Sequence, residues 1–189
     1  MYFDILQDSS FYQFLLQIDG DLAEQTRRSG CRFCGAPLHS ACYGRRPRGL
    51  PPGTVAGPAF SVCYSYCCSA DGCRRRHRAP SVRFLARKIY LASMVLLVTA
   101  MRQGPSPRTV RQLSAQFGAD RRTLCRWRRW WQCNFPGSEF WRRQAARFMP
   151  PVDVAQLPQS LIAAFSANTL RERILDLLRF LASMSIGFS

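Results

Sequence analysis

Between Val110 and Arg129 the sequence VRQLSAQFGADRRTLCRWRR sets Gly118 between two short runs of helical spacing, which limits the possible folds more than any other stretch. Apolar side chains recur at Val110, Leu113, Phe117, Ala119, Leu124 and Trp127, with small Ser114 expected where two helices approach most closely. Two helices crossing steeply over one small core, a helix-turn-helix, satisfy that spacing. Asp120 is placed to cap the second helix, expected to run to about Gln132, with Trp130 and Trp131 extending its apolar side into a core. Its outward positions are then Arg121, Arg122, Cys125, Arg126 and Arg129. Arginine is the side chain best matched to phosphates and guanine edges, so this face is a candidate DNA-reading surface. The blander alternative is an αα-hairpin with a solvated basic face.

The cysteines impose a second constraint. Cys31-x-x-Cys34-Gly35 has the gap that turns two thiolates onto one tetrahedral metal, with glycine easing the turn. Cys68 and Cys73, separated by four residues with Gly72 to ease the turn, form a less regular second pair. Cys31, Cys34, Cys68 and Cys73 are therefore the expected ligands of a structural Zn2+. Cys67, Cys63, Cys42 and His39 are alternatives, and a set of reduced, metal-free thiols is the competing reading. Four protein ligands leave no open position on the ion for catalysis. Such an ion would fold a module too small to bury much core, and would fix the run from Arg74, Arg75 and Arg76 to His77 and Arg78. That run is expected to track phosphates. Cys125 and Cys133 have no evident partner and are left out of the site.

Charge points the same way. The net charge is +16, and of the 27 basic residues 26 are arginine. A balance this extreme implies a polyanionic partner, either nucleic acid or an anionic surface. It is unevenly spread: residues 1–26 carry five acids and no base, so the rest of the chain stands at +21. The acidic start lacks a secretory pattern, and nine cysteines without an export signal suit metal ligation better than disulfides. The strongest apolar run, IYLASMVLLVTAM at 89–101, is shorter than the roughly 20 residues of a membrane span and reads as a buried helix.

Four segments are expected. Residues 1–30 form an acidic amphipathic helix, capped by Ser9 or Ser10 and weakened towards its end by Gly20. Residues 31–80 form a cysteine module whose middle, 43–58, is a basic Pro/Gly loop. Residues 81–133 hold a long helix from Val82 or Arg83 to Arg102, ended by Gly104-Pro105-Ser106-Pro107, and then the helix-turn-helix with Thr109-x-x-Gln112 as its capping box. Residues 134–189 are helical, with a short helix at 138–148 bearing Arg142, Arg143 and Arg147. A second helix there opens with Thr169-x-x-Glu172 and carries the stripe Leu170, Ile174, Leu177, Leu178 and Leu181. The fold class is mainly α with a small β zinc ribbon and a helix-turn-helix core.

The order CRFCG (31–35), CCSADGCRRR (67–76), PSVRFLARKIYLASMVLL (80–97) and then the helix-turn-helix resembles the N-terminal DNA-binding half of bacterial insertion-sequence transposases, over about half the chain. The resemblance implies modules that grip the terminal repeats of a mobile element, and a cytoplasmic, nucleoid-associated setting. In that family an RNase H-like domain follows, with three acids holding two metal ions. After residue 133 this sequence has only Glu139, Asp153, Glu172 and Asp176 within 56 residues, too short a stretch for the alternating strands and helices of such a domain.

The expected function is sequence-preferring binding of double-stranded DNA by Arg121, Arg122, Arg126 and Arg129, with Arg74, Arg75, Arg76, Arg142 and Arg143 on the backbone. No catalytic residue is assigned. An RNA-binding ribonucleoprotein component is the alternative, and a subunit of a transposase or nuclease complex is the third reading. The N- or C-terminal amphipathic helix is expected to offer a protein-partner surface, and no membrane role is expected.

Overall fold

A computed structural model describes residues 2–45, 47–50, 57–85, 92–93, 95, 110–111, 114–115 and 118–186. Helix α1 (Tyr2–Gln7) leads into the long α2 (Ser9–Arg28), whose cap is Asp8 and not Ser9 or Ser10: the Asp8 carboxylate accepts from Ser10 N. A carboxylate one residue earlier captures the orphan N–H, so both serines enter the first turn. Gly20 does not weaken the end, because α2 runs eight residues past it. Its buried face, Phe11, Tyr12, Leu15, Ile18, Asp19 and Ala23, keeps the helix docked throughout.

The cysteine region is built on five short strands: β1 (Leu38–Ser40), β2 (Tyr43–Gly44), β3 (Val62–Cys63), β4 (Ser65–Cys68) and β5 (Arg76–Arg78). β1, β4 and β5 form an antiparallel sheet in the order β1-β4-β5, and β2 pairs with β3. In the larger sheet Leu38 faces Cys68, and Cys67 faces Arg76. That register sets Cys68, at the end of β4, beside the chain leading into β5.

Two cores meet α2. The small one gathers Ala23, Cys31, Leu38, Tyr66, Cys68 and Ala79. The large one joins Phe11, Leu15, Phe60 and Val82 to Leu124, Trp127, Trp131 and the C-terminal helix. Tyr66 ties the sheet to the helix by donating its hydroxyl to Ala23 O at 2.8 Å.

Val82 to Phe84 are not helical, although a helix from Val82 or Arg83 was expected. Arg83 is buried here, with its guanidinium bonded to Asp19 and to the carbonyls of Phe60 and Val62, and that network holds the backbone out of helix. Ala92, Ser93 and Val95, in the apolar run, are helical and buried. The end of that run, the Gly104–Pro107 stop, the capping box from Thr109, and Leu113 and Phe117 lie outside the described residues, as do 51–56 of the basic loop.

Past Gly118, which adopts φ +63, helix α3 (Arg121–Arg129) begins at Asp120, whose side chain accepts from Thr123 N at 2.7 Å. The α-helix stops at Arg129 and not near Gln132. Trp130–Asn134 is a π-turn closed by Phe135 N donating to Trp130 O at 2.8 Å. The wider turn brings Trp130, Trp131 and Phe135 together, with Trp131 and Phe135 fully buried. Ser114 is exposed, so it is not the close-approach residue the spacing suggested. Its carbonyl instead accepts from Gly118 N.

Helices α4 (Glu139–Gln144), α5 (Gln159–Ala163) and α6 (Leu170–Ala182) complete the fold. Thr169 and Glu172 form a reciprocal capping box on α6. Its buried stripe is Ile174, Leu175, Leu177, Leu178, Leu181 and Ala182, with Leu170 only half-buried. The fold is mainly helical with a small antiparallel sheet. Among the described residues no helix is long and apolar enough to cross a membrane.

Candidate metal centre and arginine faces

Two tight turns converge on one point. In the first, Cys31 N donates to Ala36 O and Gly35 N to Cys31 O, with Gly30 and Gly35 at φ +70 and +76. A Cβ at Gly30 would stand 3.0 Å from Gly35 O, so both the backbone angle and the space require glycine there. In the second, Cys73 N and Arg74 N both donate to Ala70 O, and Cys68 N donates to Arg75 O. Gly72 lies in this turn as expected, and its left-handed residue is Arg74 (φ 45).

The sulfurs of Cys31, Cys34, Cys68 and Cys73 all lie within 4.8 Å of one another. Cys31 Sγ is 3.7 Å from Cys73 Sγ, and Cys34 Sγ is 3.4 Å from Cys68 Sγ. A disulfide needs about 2.05 Å, so these are thiols in contact around a common centre. The four therefore form a possible metal site. Their chemistry fits a soft or borderline cation, since four thiolates this close repel unless a positive charge lies between them.

The thiols are unequal. Burial opposes ionisation of Cys31, but N–H groups of Phe33 and Cys34, the Cys34 thiol and His77 outweigh it and bring Cys31 down to about 6. Burial pushes Cys68 up to about 12 against the Ala70 N–H, and the neighbouring thiols add to the rise. His77 was missed by the sequence reading as a partner of the centre. Its Nε2 lies 3.2 Å from Cys31 Sγ and the side chain is buried. The available signal was the Arg-His-Arg alternation of β5, which turns the imidazole inward between two outward arginines.

The alternative ligands stand elsewhere. His39 is exposed on β1, Cys42 contacts Ser40 and Ser65, Cys63 is buried in the large core, and Cys67 donates to Arg74 O. Cys125 and Cys133 are exposed on and just after α3.

On α3 the four arginines Arg121, Arg122, Arg126 and Arg129 are exposed, while Thr123, Leu124 and Trp127 are buried beneath. Arg126 donates to Thr123 Oγ1 at 2.9 Å, which fixes its stem on the helix surface. The other candidate arginines diverge. Arg74 pairs with Asp71, and Arg143 pairs with Glu139, so a neighbouring carboxylate already offsets each charge. Arg75 stacks over the Phe33 ring at 4.2 Å, with Arg32 on the same ring at 4.8 Å. Arg76 and Arg142 are exposed.

The four acids after residue 133 are each engaged locally. Glu139 pairs with Arg143, Asp153 caps the turn at Ala155, Glu172 closes the α6 box, and Asp176 pairs with Arg179. No protein-family model matches the chain, and neither does any curated protein or solved structure.

Proposed function

We propose that this protein binds double-stranded DNA, with α3 as the recognition helix of a helix-turn-helix and residues 31–80 as a structural zinc ribbon. One observation carries the reading: a nine-residue helix presents four exposed arginines over a buried Leu124 and Trp127. A helix held from below and lined above with guanidinium groups suits the major groove, where arginine bonds O6 and N7 of guanine together. The charge of +16 supplies the sequence-independent attraction to phosphates.

Zinc is the ion the donor set favours. At a Zn–S distance of about 2.3 Å, tetrahedral sulfurs stand about 3.8 Å apart, close to the contacts of the four cysteines. Its role is to fold and hold, and no catalytic step is assigned to any residue. The motif order supports an origin in a mobile-element DNA-binding module, and that kinship is part of the proposal.

The test is selection of bound duplexes from a random pool by the wild type and by Arg122→Ala and Arg126→Ala. The expected result is an enriched motif that relaxes at one or two base pairs in each variant, a loss of about 1–3 kcal/mol of discrimination. Uniform weakening with wild-type preference retained would reduce α3 to a nonspecific basic face. Selective enrichment of RNA over duplex DNA would overturn the choice of nucleic acid.

A further inference from the structure

Beside the cysteine centre, the last turns of α2 and strand β5 enclose an open groove of about 350 Å³. Arg32, Arg76 and Arg78 line it together with Thr26, Ser29 and His77, and no carboxylate does. We propose that this groove takes the phosphate groups of a nucleic-acid strand, gripped by Arg32, Arg76 and Arg78. The proposal deepens the nucleic-acid reading above but rests on residues remote in sequence from α3.

Several other arginines are matched to acids: Arg27 and Arg28 share Glu24, Arg74 has Asp71, Arg83 has Asp19 and Arg171 has Asp8. Among the described residues no carboxylate pairs with Arg32, Arg76 or Arg78, and all three are exposed. The helix wall adds no opposing charge, since Glu24 is outnumbered by Arg27 and Arg28. Thr26 and Ser29 already donate their hydroxyls to Leu22 O and Thr26 O, which leaves the guanidinium groups as the main free donors. Three cations converging without a counter-charge repel one another, and an anion between them removes that repulsion.

Geometry suits a strand and not a single ion. Arg76 and Arg78 are two residues apart on one face of β5, so their stems stand about 6–7 Å apart and can address successive groups along a chain. Arg32 reaches in from the other side, from the turn between Cys31 and Cys34. The cysteine centre thus fixes both walls: Cys31 anchors the turn that bears Arg32, and Cys73, 3.7 Å away, anchors the chain entering β5. His77 lines the groove while its Nε2 touches Cys31 Sγ. Arg76 and Arg78 belong to the run expected from the sequence to track phosphates, whereas Arg32 and the groove it completes had no signal there.

The experiment compares the metal-loaded full chain with Arg76→Gln/Arg78→Gln, whose side chains are exposed and whose metal content and helicity should match the wild type. Affinity for a short duplex is measured across salt concentrations. Each phosphate contact contributes about 0.9 to the slope of log K against log salt, so the double variant should lose about 1.8 of slope with sequence preference intact. A binding wild type whose slope the double variant leaves unchanged overturns the groove. A wild type that binds no duplex overturns the reading of α3 instead, and the groove is then decided by inorganic pyrophosphate. Amide shifts at Gly30 and His77 that vanish in the double variant would support it as a phosphate site, and no shifts would overturn it.

Discussion

Arg83 Nε donates to Asp19 Oδ2 at 2.7 Å, and the two side chains are 0% and 1% exposed. Neither group is left wanting. Asp19 also accepts from Ser81 Oγ and Val82 N, and Arg83 reaches the carbonyls of Phe60 and Val62 while lying 5.1 Å over the Phe60 ring. Removing one partner strands a charge in a dry interior. Arg83→Met or Asp19→Leu should therefore cost about 3–5 kcal/mol, whereas the double apolar variant should recover part of that loss. Denaturant unfolding of the three variants checks the expectation, and additive single losses would contradict it.

Metal analysis should find about one zinc per chain, with sulfur at about 2.3 Å by X-ray absorption. Cys31→Ser should abolish binding and unfold residues 31–80, while Cys42→Ser and Cys63→Ser retain the ion. Protein prepared without chelator and still metal-free would exclude the site.

His77→Phe keeps a ring in the same space but removes the nitrogen at Cys31. Groups that orient a metal ligand from behind typically account for 10–100-fold in metal affinity. A loss of about 10-fold in competition against a chromophoric chelator is expected, with one metal per chain retained. Affinity equal to wild type would make His77 a packing residue only.

The α6 cap is expected to persist in acid. Glu172 is lowered from its ordinary value because it accepts from the Thr169 backbone N–H. A carboxylate lowered in the folded state stabilises fully above the unfolded value near 4.3, and that contribution fades as pH falls through the lower folded value. NMR titration of Glu172 should give a midpoint below that of an unstructured peptide. Thr169→Ala keeps the backbone N–H but removes the hydroxyl, so it should raise the midpoint only in part and cost about 1 kcal/mol of stability.

Spacing made much of this legible. The cysteine pairs announce themselves because ligand spacing is local, and Asp120 and Thr169 announce their helices because capping is local too. Leu124 and Trp127 follow from the helical period. The misses are cases where a partner, near or far in sequence, decided the outcome. Arg83 reads as the start of a helix until Asp19, 64 residues earlier, is brought against it. Arg74 and Arg143 read as free cations until Asp71 and Glu139 are seen beside them. The left-handed angle at Arg74 had no signal in the sequence. His77 has no motif at all, only an alternation that turns it inward.

Helix α2 spans both cores, with Phe11 and Leu15 in one and Ala23 in the other. Thermodynamic reciprocity follows. If holding the cysteine turns together raises the probability that α2 is ordered, anything that orders α2 from its far end must tighten the grip of the four thiols by the same factor. Contacts made at Phe11 would then be readable as a change in the metal affinity of the cysteine cluster.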